Sequence, residues 1–210
     1  MIPIVASTAL YIGAAVLSPQ LPSVSDVLSG MAKQTAGLQT YEVPVTIHVT
    51  VKKGISIPFT IGGERYFAAP DKDALKLKSV PAIAKGFSNL YSSLGTPATW
   101  PQTYDLKVVT PDHASAEPTY ELLGTYKRAS SVDHILLDVD AATYDPIQVR
   151  WFYRNGATIV MSVQEESVGT FRLPAVESVD VHFPGYSGHA TIDYGSYDVN
   201  IPLPPAAFSN

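Results

Sequence analysis

The sequence predicts an α+β chain that is mostly β: one large, strongly curved antiparallel sheet with amphipathic helices packed in or over its concave face. Three observations predict it. From Val43 to Val51 aliphatic and polar residues alternate strictly, the period of a strand with one buried face. From Thr103 onward nearly every segment is a short β-prone run bounded by turn residues. Two segments, near residues 23–37 and 80–95, carry apolar residues at helical spacing instead.

Composition sets the outer bounds. The 210 residues are 46% hydrophobic and 16% charged, which suits one well-buried domain and is too apolar for a disordered chain. There is no cysteine, so disulfides, thiolate zinc sites, iron–sulfur clusters and cysteine-linked lipids are excluded. A net charge of -5 and a pI near 5.4 leave no electrostatic footprint for nucleic acid.

Residues 1–22 read as a signal-like apolar leader. Ile2 to Leu17 carry no charge, and the stretch is short for a membrane span and ends in the polar exit Ser18-Pro19-Gln20-Leu21-Pro22. A buried helix or an uncleaved anchor is the alternative. Residues 23–210 then form a single domain.

Its first element is a helix capped by Ser23 or Ser25, with Asp26 in the first turn and Gly37 at the exit. Val27, Leu28, Met31 and Thr35 share one face. The alternating strand follows, and Pro44 near its start predicts an edge or a bulge. Gly62-Gly63 predicts a tight hairpin between Ile55–Ile61 and Glu64–Phe67. Pro70-Asp71 turns the chain into a short strand around Leu75 and Leu77. A second helix spans Val80 to Gly95, with Pro81 at its first turn and Ile83, Phe87, Leu90, Tyr91 and Leu94 at helical intervals.

The remaining runs are Tyr104–Thr110, Thr119–Lys127, Val132–Val139, Ile147–Arg154, Ala157–Glu165, Gly169–Leu173, Val176–Phe183 and His189–Val199. Thr110 to Pro118 is a surface connection. Asn155-Gly156 is the strongest hairpin signal. As a two-residue loop it pairs Arg154 with Ala157, Tyr153 with Thr158, Phe152 with Ile159, Trp151 with Val160 and Arg150 with Met161. Both faces of that hairpin are then partly apolar, which predicts cover on both.

The order of these pieces resembles the bacterial lipoprotein-localisation superfamily of periplasmic lipoprotein carriers and outer-membrane lipoprotein-sorting proteins. The residues that carry the resemblance are Gly37-Leu38-Gln39-Thr40-Tyr41 with the strand after it, Arg65 to Lys72 leading into Leu75-Lys76-Leu77, and Leu137-Asp138-Val139-Asp140 with Thr143 and Pro146. Asn155-Gly156, Leu173-Pro174 and Tyr197 to Pro202 with Phe208 complete it. Family members commonly place an acidic residue before the late hairpin glycine, and Asn155 stands there instead. The resemblance implies an open half-barrel with helices as a lid, export to the periplasm or extracytoplasmic envelope, and a lipid or acylated protein as partner. The missing cysteine favours the soluble carrier branch.

A carrier of that kind needs an apolar cleft and no catalytic group, because each buried methylene is worth about 0.8 kcal/mol. Candidate lining residues are Val45, Ile47 and Val49 on the first long strand, Phe87, Leu90 and Tyr91 on the second helix, and Trp100 and Trp151; core packing is the competing account of each. An enzyme finds little support. His48, His113, His134, His182 and His189 lack the spacing of a zinc helix, and Asp133, Asp138 and Asp140 beside His134 read as solvated strand ends. Gly185-Tyr186-Ser187-Gly188-His189 lacks the second glycine of a hydrolase elbow. No cofactor or metal is expected. The alternative is an envelope sensor or interaction module that binds a protein partner through a tyrosine-rich surface, twelve tyrosines being present.

Overall fold

The computed structural model describes residues 21–78, 97–111 and 118–209. The second predicted helix, nearly all of the leader and most of the 110–118 connection lie outside the described residues. What is described is one antiparallel sheet. Its strands are β1 (Thr40–Lys53), β2 (Ile55–Ala68), β3 (Lys72–Leu77), β4 (Tyr104–Val109), β5 (Thr119–Tyr126), β6 (Val132–Asp140), β7 (Pro146–Tyr153), β8 (Thr158–Val168), β9 (Phe171–Phe183), β10 (Tyr186–Tyr194) and β11 (Asp198–Val199). Their order is β3-β2-β1-β10-β9-β8-β7-β6-β5-β4, with β11 continuing beside β1 after β10 ends. β3 and β4 stand at opposite ends, so the sheet stays open as a half-barrel.

The helix α1 (Val24–Gln34) begins where expected. Ser23 accepts from the Asp26 N–H while the Asp26 carboxylate accepts from the Ser23 N–H, a reciprocal capping box worth about 1 kcal/mol. Val27 and Met31 are buried, and Gly37 leaves the helix end at a φ of 85°. A 3-10 turn (Pro97–Thr99) and one helical turn (Trp100–Thr103) lead into β4.

The alternation in β1 is realised in full. Tyr41, Val43, Val45, Ile47, Val49 and Val51 are buried, and the residues between them are exposed or half-buried. Pro44 does not mark an edge, because β1 lies inside the sheet. Its carbonyl accepts from the Gly195 N–H at 2.9 Å, so the side that lacks an N–H faces the gap between β10 and β11, where no ladder continues.

Two turn expectations are corrected. The first hairpin turns at Gly54, with a φ of 77°, and β2 runs straight through Gly62-Gly63. A Cβ on Gly63 would lie 2.5 Å from the Lys76 carbonyl oxygen, so that glycine serves the close approach of β3. At the second hairpin only Gly156 takes a positive φ, 81°, and the Tyr153 N–H reaches the Ala157 carbonyl across a three-residue loop. Trp151 therefore pairs with Ile159 and Val149 with Met161. The slip of one residue moves every β8 side chain to the other face. Val149, Trp151, Ile159 and Met161 then form one buried row, and Arg150, Phe152, Thr158 and Val160 share the opposite side. The inner side is then uniformly apolar, while the outer side still mixes Arg150 and Thr158 with Phe152 and Val160, all half-buried. β9 is also continuous through Pro174, where a register shift opposite Glu165 absorbs the proline.

Candidate functional site

The face on which α1 packs is the inner face, and strand registers trace it across the sheet. One row runs Trp151, Ile159, Val181, Gly188, Val51; the next runs Val149, Met161, Val179, Ala190, Val49; a third runs Val163, Glu177, Ile192, Ile47, Ile61. Alternation in every strand thus delivers aliphatics to one side.

Two apolar clusters divide this face. The first joins Val27 and Met31 of α1 to Trp100, Tyr104, Leu122, Leu137, Val149, Trp151, Ile159 and Met161. The second holds Leu38, Tyr41, Val43, Val45, Ile47, Val49, Val51, Ile61 and Ile192. Val179 packs against both. Of the expected lining residues, Trp100 and Trp151 therefore meet in the first cluster, and Val45, Ile47 and Val49 meet in the second. Phe87, Leu90 and Tyr91 lie outside the described residues. All five described candidates are buried.

An open cleft of about 560 Å³ lies elsewhere, between α1 and the β6–β7 turn. Asp26, Gly30, Lys33, Gln34, Thr143, Tyr144 and Arg172 line it. This is where α1 is fastened. The Tyr144 ring lies against the bare backbone of Gly30, 2.3 Å from where a Cβ would stand, and the Gln34 side chain donates to the Thr143 carbonyl. Tyr144 holds a φ of 63°, uncommon for a bulky side chain. Asp140 braces the turn by accepting from the Ala142 and Thr143 N–H groups at 2.8 and 2.7 Å, and those bonds keep its carboxyl below the usual range.

Charged side chains interrupt the apolar face at the second cluster. Arg65 lies 2.9 Å from Asp73 and 3.7 Å from the buried Glu177, and it donates to the Tyr194 hydroxyl at 2.7 Å. Arg172 contacts Asp145 at 2.8 Å. Nearby, burial and the Asp145 carboxylate push Glu165 up to about 7. Sequence reading missed this group, although Glu177 stands out as an acid two residues from Val179 in an otherwise aliphatic row. A second group, Arg150 with Glu121 and Asp138, is buried on the opposite side of β5–β7. Asp138 is thus a buried ion-pair member and not a solvated strand end. Tyr41, Tyr66 and Tyr104 are buried as well, so several tyrosines serve the core and not a contact surface. Among the described residues no group of three His, Asp or Glu side chains is placed to hold a metal ion, and no helix is long and apolar enough to cross a membrane.

No protein-family model and no curated protein sequence matches the chain. Solved structures do match its architecture. A candidate outer membrane lipoprotein-sorting protein domain from Vibrio parahaemolyticus superposes with a TM-score of 0.62 at 12% identity, over 89% of this chain and 96% of that one. A LolA superfamily protein from Nitrosomonas europaea gives 0.60 at 11% identity, over 90% and 99%. The chain has the fold of these structures. A DUF1329 family protein from Desulfovibrio piger shares it, with a TM-score of 0.65 at 13% identity over 89% and 95% of the two chains. The half-barrel expected from motif order is therefore present, with β3 and β4 as its open edges.

Proposed function

We propose that this protein is a non-catalytic carrier that shields the acyl chains of a lipid or an acylated protein on its inner face, in the bacterial envelope. The observation that supports this reading is the inner face itself: two apolar rows, Trp151 to Val51 and Val149 to Val49, run across β7–β10 and β1, and α1 packs on the part belonging to the first cluster. The fold shared with lipoprotein-sorting structures agrees with it. Displacing α1 would uncover Trp100, Trp151, Leu122 and Leu137, an aromatic and aliphatic floor of the kind acyl chains enter. Burying ten methylenes there would contribute about 8 kcal/mol against the loss of the helix's own contacts. The leader at 1–22 would direct export, leaving residues 23–210 as the working domain.

The test is uptake of a fluorescent acyl probe by the purified chain, followed through Trp100 and Trp151 emission, with mass spectrometry of lipids extracted from gently purified protein. Saturable uptake that quenches tryptophan is the expected result. Protein that carries no lipid and takes up no probe would remove the proposal.

A further inference from the structure

The strand registers place four hairpin turns at the same end of the sheet: β1–β2 at Gly54, β9–β10 at Pro184-Gly185, β7–β8 at Asn155-Gly156 and β5–β6 at Lys127 to Ser131. This end differs in charge from the rest of an acidic chain. Lys52, Lys53, Arg128 and Arg154 are exposed there, and none makes an ion pair among the described residues. Lys127 is also present but is held by Asp105 and the Pro101 carbonyl, and Asp133 at the start of β6 lies 3.0 Å from His134. No acid occurs in residues 43–63, 146–164 or 181–192, the stretches that form three of the four turns. The opposite end gathers Asp71, Asp140, Asp145, Glu165, Glu166 and Asp198. The molecule is electrically polar along its strands.

Apolar side chains project from the same basic end. Ile55 is 69% exposed and Ile57 38%, both on one side of β2, and Tyr186 is 39% exposed with its ring stacked on Phe183. Isolated apolar tips between lysines suit an interface between water and lipid: the side chains insert while the ammonium groups stay with the headgroups. Strand addition by a protein partner fits less well. Gly62 accepts from the Lys78 N–H on the outer side of β2, so Pro58, four residues away, turns its missing donor toward the same outer edge.

We propose that this turn end docks the protein on an anionic bilayer surface, with Lys52, Lys53, Arg128 and Arg154 facing lipid phosphates and Ile55, Ile57 and Tyr186 entering the headgroup layer. Docking there does not require that the inner face take an acyl chain, so the two proposals fail separately.

The experiment is flotation of the full chain with vesicles of phosphatidylglycerol and phosphatidylcholine against vesicles of phosphatidylcholine alone, without acyl probe. Binding to the anionic vesicles at low salt, weakened by added salt, is expected. Lys52→Gln with Lys53→Gln should lower partitioning about 25-fold, at about fivefold per charge removed, and Ile55→Ser about tenfold. Asp71→Asn at the far end should change nothing. All four positions are exposed, and an unchanged melting temperature confirms that each variant folds. No binding to anionic vesicles overturns the proposal, as does binding indifferent to the lysine and isoleucine variants. Binding seen only with native membranes and abolished by proteolysis of those membranes also overturns it, in favour of a protein receptor.

Discussion

Among the described residues, the inner face on the β4–β8 side is covered by a helix, whereas on the β1–β2–β10 side its apolar residues pack among the strands and the segments that flank them. The first cluster ends at Val27 and Met31, which arrive from a separate element that, among the described residues, packs on the 3-10 turn and β4 and is fastened by the Tyr144 contact and the Gln34 side-chain hydrogen bond. The second is tied by Arg65 across β2, β3 and β9, by Tyr41 packed 5.3 Å from both Phe67 and Tyr197, and by the Tyr197 hydroxyl donating to the Pro174 carbonyl. Those ties lie within one continuously paired sheet, Arg65 reaching from β2 past β1 and β10 to Glu177 on β9. Among the described residues α1 shares no backbone ladder with the sheet, so on the proposed function it is the part of this face that moves while the other half serves as a frame.

The largest expected effect tests whether both halves belong to one cooperative unit. Trp151→Ala removes an indole from the first cluster and should cost about 3 to 5 kcal/mol in chemical denaturation. Arg65→Met should cost about 3 kcal/mol, because it withdraws the cation that faces Asp73 and the buried Glu177. If the halves fold together, each variant shifts a single transition seen by both tryptophan emission and backbone circular dichroism. Two separated transitions would break the comparison as drawn.

Glu165 sharpens it through pH. Its folded pKa of about 7 lies above the ordinary 4.5, so the folded chain holds that proton more tightly than the unfolded chain does. Stability linked to Glu165 is complete below about pH 4.5, falls as pH rises toward 7, and is level above it, with a total of at most about 3 kcal/mol. Glu165→Gln should flatten that part of the stability profile. An unchanged slope between pH 5 and 7 in the variant, the window in which that stability is lost, would show that the slope has another source.

How much of this was visible in the sequence follows from which signals are local. Alternation in β1 and the Ser23 cap depend on near neighbours, and both were read correctly. The fold emerged from the order of weak motifs. The turns were harder, since a Gly-Gly pair can permit a bend or a close approach, and only β3 overhead decides for Gly63. At Asn155-Gly156 the number of loop residues depends on whether Asn155 also takes a positive φ, and that single dihedral reassigned the faces of β8. The charged groups were least legible: Arg65, Glu177 and Asp73 are far apart in sequence and meet only through register. The five described lining candidates stand in the sequence as apolar residues, and their division into two clusters depends on where α1 packs.

The Gly30 contact is where the two halves should be separable at the smallest cost. Tyr144 occupies the space that any side chain at position 30 would need, and a methyl group there would meet ring atoms at 2.3 to 2.7 Å. Gly30→Ala must push the ring or the helix away, with an expected loss of about 1 to 2 kcal/mol. The second cluster contains neither residue, so the cost should appear as local opening and not as a general loosening. Hydrogen exchange should then quicken in α1 and the β6–β7 turn while β1 and β10 stay protected. Acyl probe uptake should become faster in the same variant, because the closed helix competes with ligand for the first cluster. Tyr144→Gly should loosen the helix in the same way by removing the ring. Faster exchange without faster uptake would mean that α1 is simply a structural cover, and ligand entry would then have to be sought over the β1–β2 half.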